Sequence, residues 1–179
     1  MIAIVDYGVG NLFSLKSSLS YIGADACVTG DSEKIKCADK IILPGVGAFG
    51  DAVKKLRDAR LDEVIVSQAK KGKPIMGICL GMQLLFDKSL KIPHIGWNSL
   101  KFTDKKSRIF RYINDGDFVY FVHSYYAANC IESVIANAEY GATLTAAVQC
   151  GNVYGCQFHP EKSGNTGLNI LRAFCEGGE

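Results

Sequence analysis

The first half of the chain alternates between two spacings of apolar residues. Short runs rich in β-branched residues indicate strands at positions 2–5, 26–29, 40–43 and 74–78. Between them, apolar residues recur every three or four positions, which predicts helices at 12–22, at 81–88 and, as one or two helices, at 48–71. Alternation of strands and helices predicts right-handed crossovers onto a mainly parallel sheet.

The second half, from Trp97 onward, is richer in strands. Apolar runs predict strands at 117–122, 133–138, 143–149 and 152–158, and an amphipathic stretch predicts a last helix at 166–176. Consecutive strands favour antiparallel pairing. We therefore expect an α/β fold, an open, mainly parallel twisted sheet flanked by helices with antiparallel strand additions. The length of 179 residues and the lack of a linker predict a single domain, 1–179.

Composition and charge exclude several classes of protein. Apolar residues make up 48% and charged residues 21%, which excludes a disordered chain. Lys and Arg total 20 against 18 Asp and Glu, so the basic excess of a nucleic-acid binder is missing. No apolar run approaches the roughly 18 residues of a membrane span, and the first residues do not resemble a signal peptide. We expect a cytoplasmic protein that binds neither nucleic acid nor membrane.

Neither a metal nor a nucleotide cofactor is expected. The seven cysteines include no Cys-x-x-Cys pair, so they are predicted to be reduced and mostly to pack as small hydrophobes. His94 and His123 lack the spacing of metal ligands. A dinucleotide-binding Gly-x-Gly-x-x-Gly motif that began at Gly8 would need its third glycine at Phe13.

One cysteine stands in a distinctive context. Cys79 lies in the run GICLG at 77–81, after a predicted strand and before a predicted helix, which is the pattern of a nucleophile elbow. Glycine on each side permits the sharp turn that places the nucleophile above the carboxyl ends of the strands. The start of the helix would favour the reactive thiolate, and the Leu80 amide could donate to an oxyanion. The alternative is an ordinary buried cysteine.

A thiolate nucleophile needs a base, and His159 is the candidate. It follows the predicted strand 152–158, and Glu161 lies two residues further on. In a Cys-His-acid set the histidine is the base and the carboxylate orients it. Taken alone, His159 would be interpreted as a surface histidine beside an unrelated glutamate, but the elbow around Cys79 favours the catalytic interpretation.

Together these motifs resemble those of the class I (triad) glutamine amidotransferases. The resemblance rests on GICLGMQ at 77–83 and QFHPE at 157–161. Further segments are similar to the branch that provides the glutaminase subunit of imidazole glycerol phosphate synthase in histidine biosynthesis. These are DYGVGNL at 6–12, PGVGAF at 44–49, PHIGWN at 93–98 and VHSYY at 122–126. The motifs extend over nearly the whole chain.

The resemblance implies a role for each matching residue. Cys79 would attack the side-chain carboxamide of glutamine, His159 would move the proton and Glu161 would hold the imidazole. A glutamyl thioester would form on Cys79 and be hydrolysed to glutamate. The other implied roles are oxyanion stabilisation by Leu80, Val46 and Gly47, and glutamine binding by Gly47, Gln83, Ser124 and Tyr125.

The resemblance also implies a partner, since in this family branch ammonia passes to a separate cyclase subunit with a (β/α)8 barrel. Asn11, Trp97 and Asn98 are expected at that interface, and the alternative for Trp97 is an ordinary core indole. The basic stretch 101–111 is either a solvated face or a docking surface.

The chain departs from the family pattern between Phe86 and Pro93, where the family has a longer segment with a glycine-rich loop and a further strand. Only residues 87–92 intervene here, so either residues are missing or the chain is a naturally short variant. Three other functions stay open. They are a glutaminase for another pathway, such as purine, anthranilate or pyridoxal phosphate synthesis, a stand-alone cysteine hydrolase of related fold, and a non-catalytic binding module.

Overall fold

The computed structural model describes residues 1–86, 89–127 and 130–176. The first half alternates strands and helices: β1 (Ile2–Val5), α1 (Leu12–Tyr21), β2 (Ala26–Thr29), α2 (Ser32–Cys37), β3 (Lys40–Leu43), α3 (Phe49–Asp58), α4 (Leu61–Lys70), β4 (Ile75–Ile78) and α5 (Leu80–Gln83). The second half consists mainly of strands: β5 (Ser89–Ser99), β6 (Lys101–Phe102), β7 (Phe118–Ala127), β8 (Val134–Glu139), β9 (Thr143–Cys150) and β10 (Val153–Cys156), followed by α6 (Gly164–Cys175).

Eight strands form one sheet in the order β2-β1-β3-β4-β10-β9-β8-β6. The first five in that order are parallel, and the pairs from β10 outward to β6 are antiparallel. In the pairing of β10 with β4, Cys156 lies opposite Ile78. The residues that follow these two strands, Gln157 and Cys79, therefore leave the sheet side by side at its carboxyl edge.

The sheet separates two apolar cores because alternate residues of a strand point to opposite faces. Ile2 and Ile4 of β1 pack in the cluster that contains residues of α1 and α6. Ala3 and Val5 pack in the cluster that contains residues of α2, α3 and α4. Helices thus cover both faces, which explains why β1, β3 and β4 are buried along their whole length.

The remaining two strands, β5 and β7, form a separate antiparallel ribbon in which Ile95 pairs with Val122. His94 and Phe121 lie on the buried face of this ribbon. Ile95 and Trp97 lie on its other face and are 68% and 56% exposed. The ribbon therefore presents an apolar surface to solvent.

The predicted α/β fold is confirmed, with its mainly parallel sheet, flanking helices and antiparallel additions. The stretch 48–71 holds two helices because the chain turns at Arg60, whose φ is 54°. The prediction missed α2, although Asp31 accepts hydrogen bonds from the amides of Glu33 and Lys34 in the manner of an N-cap. The pattern also did not predict that β10 pairs in parallel with β4.

The predicted helix at 81–88 was right at 81–83 and wrong at 84–86. The helix comprises Leu80–Gln83, turns and a bend follow at 84–86, and residues 87–88 lie outside the described residues. Within the described part of the chain, no helix has the length and apolar character needed to cross a membrane.

Candidate active site

Cys79 lies at the turn between β4 and α5. Its φ of 53° and ψ of −110° fall in a region that non-glycine residues rarely occupy. Glycines make the turn possible, since a Cβ on Gly77 would lie 2.7 Å from the Gly81 carbonyl oxygen, and one on Gly81 would lie 1.9 Å from the Leu43 carbonyl oxygen. The backbone therefore has the geometry of a nucleophile elbow.

The helix after Cys79 is a single turn of four residues, Leu80–Gln83. A helix dipole is the sum of aligned peptide dipoles, so this helix has fewer of them to contribute than the longer one predicted from the sequence. Neighbouring side chains consequently matter more for stabilising a charge on the Cys79 sulfur.

His159 and Glu161 form a buried pair just beyond β10. The His159 backbone amide donates to the Tyr120 carbonyl at 2.9 Å, which attaches this segment to β7. The Nδ1 atom of His159 lies 2.8 Å from Oε1 of Glu161, and the two side chains are 2% and 3% exposed. The other ring nitrogen, Nε2, is buried and has no hydrogen-bond partner within the described structure.

The surroundings of His159 determine its charge. Burial lowers the pKa of His159, but the adjacent Cys79 and Glu161 outweigh this effect and raise it to about 9. The imidazole therefore carries a proton at neutral pH. With Nδ1 directed at Glu161, Nε2 is the nitrogen available to exchange a proton with a reacting group.

Cys79 is almost fully buried, and besides the adjacent His159 its sulfur has a backbone and a side-chain polar neighbour. It lies 3.7 Å from the Val122 carbonyl oxygen and 3.8 Å from Nε2 of Gln157. The Tyr7 hydroxyl donates to the Pro44 carbonyl at 2.7 Å, and burial and then the charge of Cys79 raise the pKa of Tyr7. Tyr7 is therefore neutral at physiological pH and cannot act as a competing base.

A cavity of about 730 Å³ opens in front of the elbow. Its lining comes from the segment after β3, from the elbow, from the β5–β7 ribbon and from the segment after β10. The lining residues are Val46, Gly47, Ala48, Phe49, Gly50, Cys79, Leu80, Gln83, Ile95, Val122, His123, Ser124, Tyr125, His159 and Lys162. A smaller cavity of about 330 Å³, beside Met1 and Lys40, lies at the opposite end of the strands.

The residues expected to bind an oxyanion adjoin the cavity, but one donor is occupied. The Leu80 amide donates to the Gly45 carbonyl at 3.3 Å. In this conformation it is therefore not free to donate to a substrate oxygen. Gly47 has a φ of 100° and open space around its Cα, and Val46 beside it is exposed. This segment can therefore change its backbone without meeting packed side chains.

Gln83, Ser124 and Tyr125, expected to bind glutamine, line the same cavity. The Gln83 side chain donates from Nε2 to the Tyr125 carbonyl at 2.5 Å and to Oε1 of Gln157 at 3.1 Å. Both hydrogens of that amide are thus in use, so only Oε1 remains to accept a hydrogen bond from a ligand.

The residues expected at a partner interface differ in their surroundings. Trp97 is exposed and its ring meets Tyr120 edge-on, with centroids 5.8 Å apart, so the core alternative for this indole is wrong. Asn11 caps α1, since its side chain accepts from the Ser14 amide at 3.4 Å. Asn98 donates to the Glu139 carbonyl at 2.8 Å. Both asparagines thus have structural contacts of their own.

Side chains of the basic stretch 101–111 contact the protein itself. Lys105 donates to the Glu132 carbonyl and Arg108 donates to the Phe174 carbonyl at 3.5 Å. The guanidinium of Arg108 also lies over the Tyr154 ring, 5.5 Å from its centroid. Arg108 therefore has structural contacts of its own, while the lysines of the stretch are exposed and both interpretations stay predictions.

Sequence reasoning assigned no catalytic role to two side chains that the fold brings to the site. Gln157 is fully buried against Cys79, and His123 lines the cavity. Gln157 is the first residue of the QFHPE run, so its position in a motif was the available signal. For His123 the only signal was the neighbouring pair Ser124 and Tyr125.

Among the described residues, no group of three or more His, Cys, Asp or Glu side chains could hold a metal ion. All seven cysteines are free thiols. The chemistry that this arrangement supports is nucleophilic attack by a thiolate, with an imidazolium held by a buried carboxylate beside it.

Relatives of known name cover almost the whole chain. The protein is 48% identical over 200 residues to "Imidazole glycerol phosphate synthase subunit HisH" of Caldanaerobacter subterraneus subsp. tengcongensis, and covers 98% of both chains. It is 46% identical to the protein of the same name from Methanosarcina acetivorans, again with 98% of both chains covered. Each comparison spans more positions than the 179 residues of this chain, so these relatives contain residues that it lacks.

Solved structures show the same fold. A putative GMP synthase protein from Thermoplasma acidophilum matches with a TM-score of 0.80 at 22% identity, over 97% of this chain and 91% of that one. The structure of PurLQS from Thermotoga maritima matches with a TM-score of 0.79 at 21% identity, over 97% and 96%. The family model described as "Glutamine amidotransferase class-I" matches residues 3–176. The chain belongs to the class-I glutamine amidotransferase family.

Proposed function

We propose that this chain is the glutaminase subunit of imidazole glycerol phosphate synthase, which hydrolyses glutamine and supplies the ammonia to a separate cyclase subunit. The observation that carries the proposal is the buried His159–Glu161 pair beside the Cys79 elbow. The near full-length similarity to HisH subunits supports this pathway over the purine, anthranilate and pyridoxal phosphate alternatives. The central eight-stranded sheet, whose strands come from both halves of the chain, supports a single domain over 1–179.

The reaction starts with the Cys79 thiolate attacking the side-chain carboxamide carbon of glutamine. A carbon–sulfur bond forms, and the carbon–nitrogen bond breaks as the imidazolium of His159 gives its proton to the leaving nitrogen. This step leaves a glutamyl thioester on Cys79 and a neutral imidazole held by Glu161. Ammonia is released with its third hydrogen supplied by His159.

The second half of the reaction restores the site. His159 takes a proton from water as the oxygen attacks the thioester carbon. The carbon–sulfur bond then breaks to give the side-chain carboxylic acid, which loses its proton to solvent to become glutamate. The imidazolium and the thiolate are then ready for another cycle. In both halves an oxyanion develops on the same carbonyl oxygen. The amides of Leu80 and of the segment at Val46 and Gly47 are the donors we assign to it.

Substrate binding follows from the polar groups at the cavity. Oε1 of Gln83 is an acceptor for an N–H of the substrate, because its amide nitrogen already donates twice. Ser124 and Tyr125 are exposed at the cavity and suit the α-carboxylate and α-amino groups. Gly47 completes the assigned set, since its open surroundings allow a ligand to approach the backbone closely.

We assign the exposed face of the β5–β7 ribbon to the cyclase partner, which would have a (β/α)8 barrel. Ile95 lines the cavity and lies on this exposed face, beside Trp97. A partner that covers this surface would bury two large apolar side chains and close the cavity from solvent, so released ammonia would pass to the partner. Asn11 and Asn98 are assigned to the rim of the interface. A cytoplasmic location is part of the proposal, in line with the reduced cysteines predicted from the sequence.

Glutamate release tests the catalytic assignment. The chain is assayed with glutamine, alone and with the cyclase subunit of the synthase, as wild type, Cys79→Ala and Cys37→Ala. Cys79→Ala should lose at least about a thousandfold in rate. Cys37 is exposed and lies in α2, so Cys37→Ala is a matched control that should retain activity. Normal hydrolysis by Cys79→Ala would refute the mechanism.

Binding of the cyclase subunit tests the partner assignment. Trp97→Ala should weaken binding by about 2 kcal/mol, or roughly thirtyfold. Tyr21→Ala is the matched control, because it removes an exposed aromatic side chain that lies elsewhere, on α1. It should leave binding unchanged. Stable binding to a different synthase instead would support a glutaminase of another pathway. Partner-independent hydrolysis of peptides would support the stand-alone hydrolase, and a chain that bound glutamine without hydrolysing it would be a binding module.

A further inference from the structure

We infer that Gln157 is a further catalytic residue, whose side-chain amide donates an N–H to the Cys79 sulfur and stabilises the thiolate in its attacking position. The inference rests on the proposed function, because it concerns the same nucleophile. It assigns a task to a buried side chain that the mechanism above does not use. Gln157 is 0% exposed, so it has no access to solvent and its amide must find partners inside the protein.

The orientation of the Gln157 amide follows from a backbone carbonyl. The Tyr125 carbonyl oxygen can only accept, so the group of Gln83 that lies 2.5 Å from it must be the NH2 group. The same NH2 group lies 3.1 Å from the Gln157 side chain, which must present its oxygen there. The NH2 group of Gln157 is then left to face the sulfur, at 3.8 Å. No alternative flip satisfies all three contacts.

The backbone holds Gln157 in this place. Its amide donates to the Ala146 carbonyl at 2.8 Å, which attaches it to β9. One residue earlier, Cys156 of β10 pairs in parallel register with Ile78, the residue before the nucleophile. The donor and the sulfur are thus carried by two neighbouring strands of the central sheet. A contact built on such a frame has little freedom to open.

The amide favours the charged form of the sulfur. As a thiol, Cys79 can donate to the Val122 carbonyl at 3.7 Å, but a thiolate has no hydrogen to donate there. An N–H from Gln157 remains favourable to the thiolate, and a hydrogen bond to a charged atom in a buried site is stronger than one between neutral groups.

Three other ionisable groups lie in the surroundings of the site, and only His159 is charged at neutral pH. His159 supplies the positive charge after β10, while Tyr7 after β1 and His123 on β7 are neutral at physiological pH. Gln157 is thus the neutral donor that accompanies the His159 charge. Its link to Gln83 also connects the nucleophile with a residue assigned to the substrate.

Alkylation of Cys79 by iodoacetamide tests this inference without requiring glutamine hydrolysis. The rate is followed from pH 5 to 10 on the full chain, with mass spectrometry to separate Cys79 from the other thiols. Gln157→Met, which has similar length and no N–H, should slow alkylation at neutral pH about tenfold and move the profile to higher pH. Gln157→Asn keeps an amide but withdraws it by one methylene, and should act in the same direction.

Gln68→Met is the matched control, since Gln68 is a buried glutamine of α4 away from the cavity. It should leave the alkylation profile unchanged even where it lowers thermal stability. A purely structural role for Gln157 would lower thermal stability without moving that profile. Folded Gln157→Met or Gln157→Asn with a wild-type profile would overturn the inference. If the wild-type chain failed to hydrolyse glutamine together with its partner, the proposed function would be wrong. The alkylation comparison would still decide whether Gln157 stabilises the Cys79 thiolate.

Discussion

Two buried histidines, His159 just after β10 and His123 on β7, line the same cavity. At neutral pH His159 is charged and His123 is neutral. Burial lowers the pKa of both. Beside His159, Cys79 and Glu161 reverse the effect and raise its pKa to about 9. His123 has no hydrogen-bond partner on either ring nitrogen within the described residues, and its pKa falls to about 4, with the nearby His94 and His159 lowering it further.

The difference shows that burial keeps an imidazole in this site neutral unless neighbouring acidic groups outweigh it, as they do for His159. At neutral pH the site holds one imidazolium, His159, and one neutral imidazole, His123. The proton needed by the leaving ammonia therefore resides on the histidine that faces the nucleophile. His123 cannot compete for that proton, since it stays neutral until the medium is far more acidic.

Removing the carboxylate should weaken this contrast, and Glu161→Gln is the prediction with the largest effect on activity. The amide keeps the size of the side chain but loses its charge, so the pKa of His159 should fall from about 9. Glutamine hydrolysis should drop by about 10² to 10⁴ in rate, the usual range for a general acid–base contribution. NMR titration of the histidine rings measures the first quantity, and glutamate release the second.

The matched control is Glu33→Gln, in which an exposed carboxylate that pairs with Lys36 is neutralised. It should change neither the His159 titration nor the rate. If Glu161→Gln left the pKa of His159 unchanged, the carboxylate would not be a cause of the raised value. Cys79 alone would then have to account for it.

The sharp turn at Cys79 and the contact between His159 and Glu161 could be predicted because they depend largely on local chain geometry. Glycines at 77 and 81, on either side of a cysteine that follows a strand, permit a sharp turn that other residues would hinder. The position of Glu161, two residues after His159 across a proline, likewise restricts where the carboxylate can lie. The alternation of apolar runs was sufficient for the fold class, because each strand and helix buries a face of its own.

What could not be predicted depends on contacts between distant parts of the chain. Gln157 meets Cys79 across 78 positions of sequence because β10 inserts in parallel beside β4. The occupied Leu80 amide depends on the position of the Gly45 carbonyl in another loop. The neutral state of His123 depends on its burial, which no residue next to it in the sequence indicates.

Acid should destabilise the fold through His123, and this effect is intermediate in size. The pKa of His123 is about 4 in the folded chain and about 6.5 in the unfolded chain. Between these two pH values the unfolded chain therefore binds a proton that the folded chain does not bind. Stability should therefore fall as pH decreases from 6.5 to about 4, with a slope of up to about 1.4 kcal/mol per pH unit.

Urea unfolding of wild type and His123→Gln at several pH values checks this prediction. The variant should lose less free energy of unfolding between pH 8 and 4.5. Any packing cost of the substitution is the same at both pH values, so it cancels when one value is subtracted from the other. If the free energy of unfolding fell as steeply with pH in His123→Gln as in wild type, other groups would cause the loss. The first of these to test would be His94, because burial also lowers its pKa.

The smallest effect should come from the neighbour that lowers the pKa of His123. The rings of His94 and His123 lie 5.5 Å apart, and His94 stacks between Phe121 and Tyr140 with centroids 4.4 and 4.1 Å away. His94→Phe keeps an aromatic ring in that stack but removes its charge, so the pKa of His123 should rise slightly from about 4 and stay below 6.5, since burial is the larger cause. Asn98→Ala, which removes the side chain 3.5 Å from His94 Nε2 and leaves the imidazole in place, should not reproduce this rise. NMR signals of the His123 ring, followed from pH 3.5 to 6, give its pKa in both variants. An unchanged or lower His123 pKa in His94→Phe would mean that the two histidines do not interact electrostatically.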